Sequence, residues 1–460
     1  MSCNDRLFPI SSSQPLLSGD QIKALAKHML SADASTTSPI ESTHKYVAGY
    51  TYLGQLIAHD IVPKTRPSYF DRMTTPSLNL DSIYGDLSDQ TIYFLFDNEG
   101  RFQPNSSNSY DLYRGRANEA LIPDPRNDEN VIVAQLHRLW QQVHNWVIED
   151  FVAPHCRDIK ARIHEAKSIV TALFHLVVIE DFLFETLEPE TYNCYFSDWH
   201  EYILQFTHPL TAIPLEFSHA AFRFGHSMTR ARYILNQDNT DNPVHLLSLI
   251  RQRNSGSISN EHKIDWTNFF GADAQEAAKI DLQITSGMDS IPLEGNIVYL
   301  NLMAADHARI PSGYAVLDWL NTHQKTLATD INLAQFPEVT AGAERNLRPV
   351  YDELTDNFKN RTLPLWLYVL RESALSAYPD YRFRKTRLGK VGSVIVAEVL
   401  RQSIISCYLP NGGHHPLDKK THLEMIKQCA SEPYRQIVTQ YPNQKLSMSN
   451  LITFISKPKG

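Results

Sequence analysis

Residues 131–152 read VIVAQLHRLWQQVHNWVIEDFV, with apolar side chains at 132, 136, 139, 143 and 147. Steps of three and four residues bring those side chains onto one face of an α-helix. The same reading predicts a second long helix over about 161–184 and further helices over 219–228, 297–307, 313–325, 364–377 and 393–408. The strict apolar–polar alternation that marks a half-buried strand is scarce. Residues 61–125 carry the turn-forming stretches VPKTRP, TTPS and RFQPNSSNS and are expected to be rich in loops. The pattern predicts a mainly α fold with long functional loops. The longest uncharged apolar run, SIVTALFHLVVI at 168–179, falls short of the roughly 20 residues of a membrane span. It reads as a buried helix.

Residues 1–45 are rich in Ser, Thr and Pro at both ends, around a helical stretch, QIKALAKHML. They read as an arm on a larger body. No linker divides the remainder of the chain: residues 46–410 are expected to form one domain, with 411–460 as a C-terminal extension packed on it. The N-terminal MSCNDRLFPISSSQPLL has no charged head followed by an apolar core, so no signal peptide is read and a cytoplasmic location is expected. With 460 residues, 42% of them hydrophobic, the chain can bury a sizeable core. A net charge of −8 gives no electrostatic case for nucleic acid or an anionic membrane as partner. The five cysteines, at 3, 156, 194, 407 and 429, form no CxxC pair and fit reduced thiols.

Four stretches carry candidate chemistry. GQLIAHD (54–60) sets His59 and Asp60 inside an apolar, helix-like run, with Gln55 one turn before the histidine. DPRNDEN (124–130) opens the long helix, where Arg126 and Glu129 share a face and Asp124 or Asn127 can act as a cap. Alone, this is an ordinary capped helix start. FRFGHSMTR (222–230) holds His226 beside Gly225, whose lack of a side chain lets a bulky group approach the backbone. Alone, the histidine is more often a satisfied core residue. TPSLNLDSIYG (75–85) offers oxygens at Thr75, Ser77, Asn79 and Asp81. Alternate residues of an extended loop point the same way and can converge on a hard cation, although alone such a stretch is more often a polar loop with local turns.

Together, GQLIAHD, ALIPDPRNDENVIVAQLHRLWQQVHN, IPLEFSHAAFRFGHSMTR and TPSLNLDSIYG resemble the animal-type haem peroxidases of the peroxidase–cyclooxygenase superfamily, most of all their bacterial branch. The resemblance continues through IPSGYAV, LPLWLYVLRESA and LGKVGSVIVAEVL and covers about residues 45–410. It implies the myeloperoxidase-like fold, with haem b between a distal and a proximal helix. It implies a peroxidase that uses hydrogen peroxide to oxidise a small organic donor or a halide, as in a response to oxidative stress.

By the same resemblance His226 is the axial iron ligand and Arg223 pairs with a haem propionate. An asparagine usually holds the proximal histidine; counting back from Trp366 points to NRTLPLW, near Asn360 or Thr362, without assigning it. His59 is the distal acid–base group, Arg126 stabilises the leaving oxygen, and Gln55 orders distal water or halide. Asp60 with Thr75, Ser77, Asn79 and Asp81 implies a calcium site, weakened because Asn79 stands where an aspartate is usual. Glu129 matches a carboxylate that esterifies haem, whereas Ala58 replaces the other, so at most one link is expected.

Ala304 and Asp306 stand where arginines are usual before the IPSG motif. This altered setting keeps two alternatives in view: a specialised haem oxygenase or coupling enzyme of secondary metabolism, and a non-catalytic haem-binding scaffold. Fatty-acid dioxygenases of the superfamily carry a tyrosine three residues before the proximal histidine; Arg223 here argues against that chemistry.

Overall fold

The helix expected from the 131–152 pattern forms over Val131–Val147, opened by Asn130, whose side chain accepts from the Ile132 N–H. The computed structural model describes residues 6–9, 15–31, 46–63, 75–197, 210–251, 256–291, 295–323, 347–376, 387–408, 419–441 and 445–457. The expected helices also form over Ile159–Val177, Ile297–His307, Gly313–His323, Leu365–Ser376 and Lys390–Ile405. Named strands among the described residues are two residues long, such as Leu30–Ser31 paired parallel with Ile284–Thr285. The fold is mainly α, as the pattern predicts. No helix among the described residues is long and apolar enough to cross a membrane.

One expected helix is corrected. Over 219–228 the chain instead makes a 3-10 helix, Ala221–His226, preceded by a short α-turn, Leu215–Ser218. Ala220, at φ −139° and ψ −79°, breaks the path between them. The tighter helix leaves His226 at its end, next to Gly225, a weak helix former.

The chain divides into two compact units, each made from three segments. The first comprises Met1–Thr51, Glu185–Tyr233 and Glu276–Arg401. Here the N-terminal helix Gly19–His28 begins with a reciprocal cap between Ser18 and Gln21 and packs on Ile297–His307 and Arg348–Lys359. Further upstream, the buried carboxylate of Glu216 accepts from the Leu7 and Phe8 amides. Gly313–His323 packs on Leu365–Ser376, and Gly313 lets the Tyr368 ring lie against its backbone.

The second unit comprises Tyr52–Phe184, Ile234–Gln275 and Gln402–Gly460. Its centre is the pair Val131–Val147 and Ile159–Val177, where Trp140 and Phe174 meet edge-on with ring centroids 4.8 Å apart. Ile159–Val177 runs on into a wider π-helical turn, Val178–Leu183, that buries Glu180 and Asp181. Their carboxylates accept from the Leu446 and Met448 amides, both at 2.8 Å, and so fasten the C-terminal segment to this unit.

Candidate functional site

In the second unit, His59 lies on the helix Gly49–Ile61 beside Leu56, Ile57 and Ile61, all fully buried. Its Nδ1 stands 2.8 Å from Oδ1 of Asn127. The amide oxygen can only accept, so Nδ1 carries the proton and Nε2 keeps a lone pair. Burial, and then the nearby positive charge of Arg126, push the His59 pKa down to about 4, so the ring is neutral at pH 7.

Asn127 is placed by a 3-10 turn, Pro125–Asp128, which Asp124 caps through the Arg126 N–H. Of the two caps the sequence allows for the long helix, Asp124 and Asn127, neither serves; Asn130 does so, which leaves the Asn127 side chain for His59. Behind it a buried polar chain continues. Asn127 Nδ2 lies 3.0 Å from His137 Nδ1 and 3.4 Å from the Ser82 carbonyl. His137 Nε2 lies 3.1 Å from Gln141 Nε2, and Gln141 Oε1 accepts from Arg138 at 3.1 Å.

Arg126 reaches His59 through the backbone. Its Nη2 donates to the carbonyls of His59, at 2.8 Å, and Val62, at 3.0 Å, satisfying oxygens at the end of that helix. Nε and Nη2 also grip Asp124, at 3.1 and 2.8 Å. The guanidinium charge is therefore balanced by a buried carboxylate. Gln55 sits half-buried one turn before His59, and Ala58 is also half-buried. Glu129 is exposed, and its carbonyl accepts from the Arg251 amide at 2.7 Å.

Of the expected calcium ligands, Asp60 is tied to the turn that carries Asn79 and Asp81. Asp60, fully buried, accepts from the amides of Leu80 at 2.9 Å and Ser82 at 2.8 Å. These bonds hold the short helix Asp81–Tyr84 and the left-handed Leu80, φ +59°, that precedes it. Asn79 Oδ1 accepts from the Asp81 amide at 3.2 Å, Ser77 Oγ from Ser406 at 2.8 Å, and Thr75 Oγ1 is buried without a partner. Among the described residues no group of three or more His, Cys, Asp or Glu side chains is arranged to hold a metal ion.

In the first unit, His226 ends the 3-10 helix Ala221–His226. Trp366, fully buried on Leu365–Ser376, donates through Nε1 to the Arg223 carbonyl at 3.2 Å and so braces that helix. Part of the His226 surface stays accessible, yet burial, and then Arg223, lower its pKa to about 3. A Cβ built on Gly225 would meet nothing within 4 Å, so the backbone beside His226 faces open space.

The residue that holds His226 is Asn301, not one near 360. Its Nδ2 lies 2.8 Å from His226 Nδ1, while its Oδ1 accepts from Arg223 Nη1 at 2.9 Å. Arg223 Nε also donates to the Ser218 carbonyl at 2.9 Å. Thr362 is engaged elsewhere, with Asn357. Asn301 opens NLMAADHARIPSG, the segment notable in the sequence for its missing arginines; the signal lies at its first letter.

Residues 83–309 match the family model for animal haem peroxidase. Thyroid peroxidase of Mus musculus is 29% identical over 126 residues, which is 27% of this chain and 13% of that protein. The match thus spans only a small part of that relative. Among solved structures, peroxidase A from Dictyostelium discoideum superimposes with a TM-score of 0.59 at 13% identity, covering 99% of this chain and 91% of the other. A fatty acid α-dioxygenase of Arabidopsis thaliana gives 0.56 at 13% identity, covering 95% and 78%. One from Oryza sativa gives 0.54 at 14% identity, covering 93% and 79%. At such identities these structures speak for the fold.

Proposed function

Since the chain belongs to the animal haem peroxidases of the peroxidase–cyclooxygenase superfamily, we propose that it is a haem-dependent peroxidase that uses hydrogen peroxide to oxidise a small organic donor or a halide. The observation that carries this reading is a pair of neutral histidines, His59 and His226, each with Nδ1 at 2.8 Å from an asparagine amide. At His59 the Asn127 oxygen sets the tautomer that leaves Nε2 free to work; at His226 the Asn301 amide orients the ring and must turn over before Nε2 is free.

The residues around His226 fit a haem. A neutral imidazole suits iron, and the open space at Gly225 leaves room for a flat, bulky group. His226 would hold the iron, and Arg223 would turn to a propionate. Bound haem supplies the redox chemistry.

His59 moves the proton. Its free Nε2 takes a proton from one peroxide oxygen and returns it to the departing one, while Nδ1–H stays on Asn127. Arg126 fastens the backbone of His59 and, because Asp124 balances its charge, stabilises the leaving oxygen less than an unpaired arginine would. Gln55, half-buried one turn before His59, would order water beside it. A link from Glu129 to haem is testable by mass spectrometry of the haem-loaded protein.

The reading is tested by the visible spectrum of haem-loaded protein before and after one equivalent of hydrogen peroxide. The expected result is a Soret band that shifts quickly and returns when a phenol or iodide is added, and that is lost or altered in His226→Ala. A haem band that ignores peroxide would leave a haem-binding scaffold. Oxygen inserted into one dedicated substrate, with poor turnover of generic donors, would favour a specialised oxygenase, a reading that rests on Ala304 and Asp306.

A further inference from the structure

We propose that Lys167 supplies, from within the chain, the positive charge that the family resemblance assigns to calcium, so that this protein braces the His59 helix without a metal ion. Lys167 extends from Ile159–Val177 and sets its Nζ 2.8 Å from Asp81 Oδ1. The same ammonium lies 5.5 Å from the centre of the Tyr84 ring, a distance at which a cation is attracted to the aromatic face. Only about a fifth of the lysine side chain is exposed, 20% against 15% for its aspartate.

Calcium takes about six to eight oxygen ligands, several of them carboxylate. The oxygens on offer here are already engaged by the protein. Asp60 faces the two amides that hold Leu80 and Ser82. Asn79 turns back on the Asp81 amide, and Ser77 meets Ser406. Asp81 faces the lysine. Thr75 Oγ1 and Ser82 Oγ are buried without a hydrogen-bond partner, and two neutral hydroxyls do not offset the Lys167 charge opposite Asp81. A divalent ion placed among these oxygens would also stand close to a fixed ammonium, and like charges at such range repel strongly in a partly buried setting.

The substitution of Asn79 for an acidic residue fits the same logic. With Asn79 the loop carries one negative charge fewer, and a single ammonium opposite Asp81 suffices. Three elements are thereby tied: Asp60 joins its own helix to the 78–85 turn, and Lys167 joins that turn to the 159–177 helix. The proposal goes beyond the peroxidase reading and stands or falls without haem.

The test is thermal unfolding of the full chain in chelator and in excess calcium, together with equilibrium dialysis against calcium alone. The wild type is expected to melt at the same temperature in both and to retain no calcium. Lys167→Met is expected to melt several degrees lower in chelator. Stoichiometric calcium on the wild type, a wild-type melting point that rises with calcium, or a Lys167→Met variant as stable as wild type in chelator would overturn the proposal. Should Lys167→Met not fold, Lys167→Arg decides: it keeps the charge and is expected to melt independently of calcium, and a calcium-dependent melt of this variant would count against the lysine's role.

Discussion

Nδ1 of His226 faces the amide nitrogen of Asn301 across 2.8 Å, because the amide oxygen is held by the guanidinium of Arg223. Arginine has no acceptor, so the amide is oriented from the Arg223 side. His226 Nδ1 then accepts, and its proton sits on Nε2. Binding iron through Nε2 requires the other tautomer, with Nδ1–H donated to the oxygen of Asn301. Arg223 must release that oxygen first, which a haem propionate would achieve.

The first prediction rests on this contact. In wild-type protein without haem, nitrogen NMR should report His226 protonated on Nε2. In Arg223→Met the oxygen of Asn301 is free to turn, and the proton should move to Nδ1. An unchanged tautomer in the variant would show that Arg223 does not govern the amide.

A second prediction concerns Asn127. Outer hydrogen-bond partners of working histidines typically carry about 10–100-fold in activity. Asn127→Leu should slow the reaction with peroxide by about that factor, while His59→Ala should slow it by roughly 10²–10⁴-fold, the usual share of a general acid–base group. Both should retain haem. Stopped-flow mixing with peroxide gives the rates, and a wild-type rate in His59→Ala would remove His59 from the proton transfer.

Acid should destabilise the fold. Burial holds His59, His144 and His175 at pKa values of about 4, and His137 and His226 at about 3, against 6.5 in the unfolded chain. A lowered folded pKa means that the unfolded state binds the extra protons. The stability these neutral rings contribute is therefore complete above pH 6.5 and is lost as pH falls toward 4. At pH 5 the linkage amounts to about 2 kcal/mol for each such ring. Urea midpoints of the protein without haem should drop steeply from pH 7 to pH 5. A flat profile there would mean that these rings are not buried neutral.

Gly313 offers a test of packing at the IPSG motif. A Cβ at this position would overlap the ring of Tyr368, which is 1% exposed and cannot swing aside. Gly313→Ala should cost about 1–3 kcal/mol, the usual range for overpacking, and calorimetry should show a lower melting point. Unchanged melting would mean that the two helices separate at no cost.

Much of the fold is legible in the sequence because it rests on periodicity. The 131–147 and 297–307 helices repeat their apolar residues at helical spacing, and the motif histidines fall on or beside such elements. What the sequence hides is tertiary. Asn301 lies 75 residues from His226 in sequence, and nothing local ties them. The 219–228 stretch has helical spacing but a backbone break at Ala220. Lys167 looks like an ordinary polar residue of a helix until the 75–85 loop is folded against it. Arg126 reads as an open charge; the carboxylate two residues earlier, Asp124, takes it up.

The buried contacts that run from His59 to Arg138 have one further consequence. Donors and acceptors must alternate along such a row, and Arg138, although burial lowers its pKa to about 10, still enters at pH 7 only as a donor. It turns the Gln141 oxygen toward itself and the nitrogen toward His137, whose other nitrogen must then bear the proton. Asn127 meets that proton with its own NH2, held that way by the Ser82 carbonyl, so the alternation fails at this one junction. A half turn of a single amide would repair the row and hand His59 the opposite tautomer, with Nε2–H and no base. The reactive form of the histidine is thus kept against the grain of the row behind it, and its readiness for peroxide depends on which way one asparagine faces.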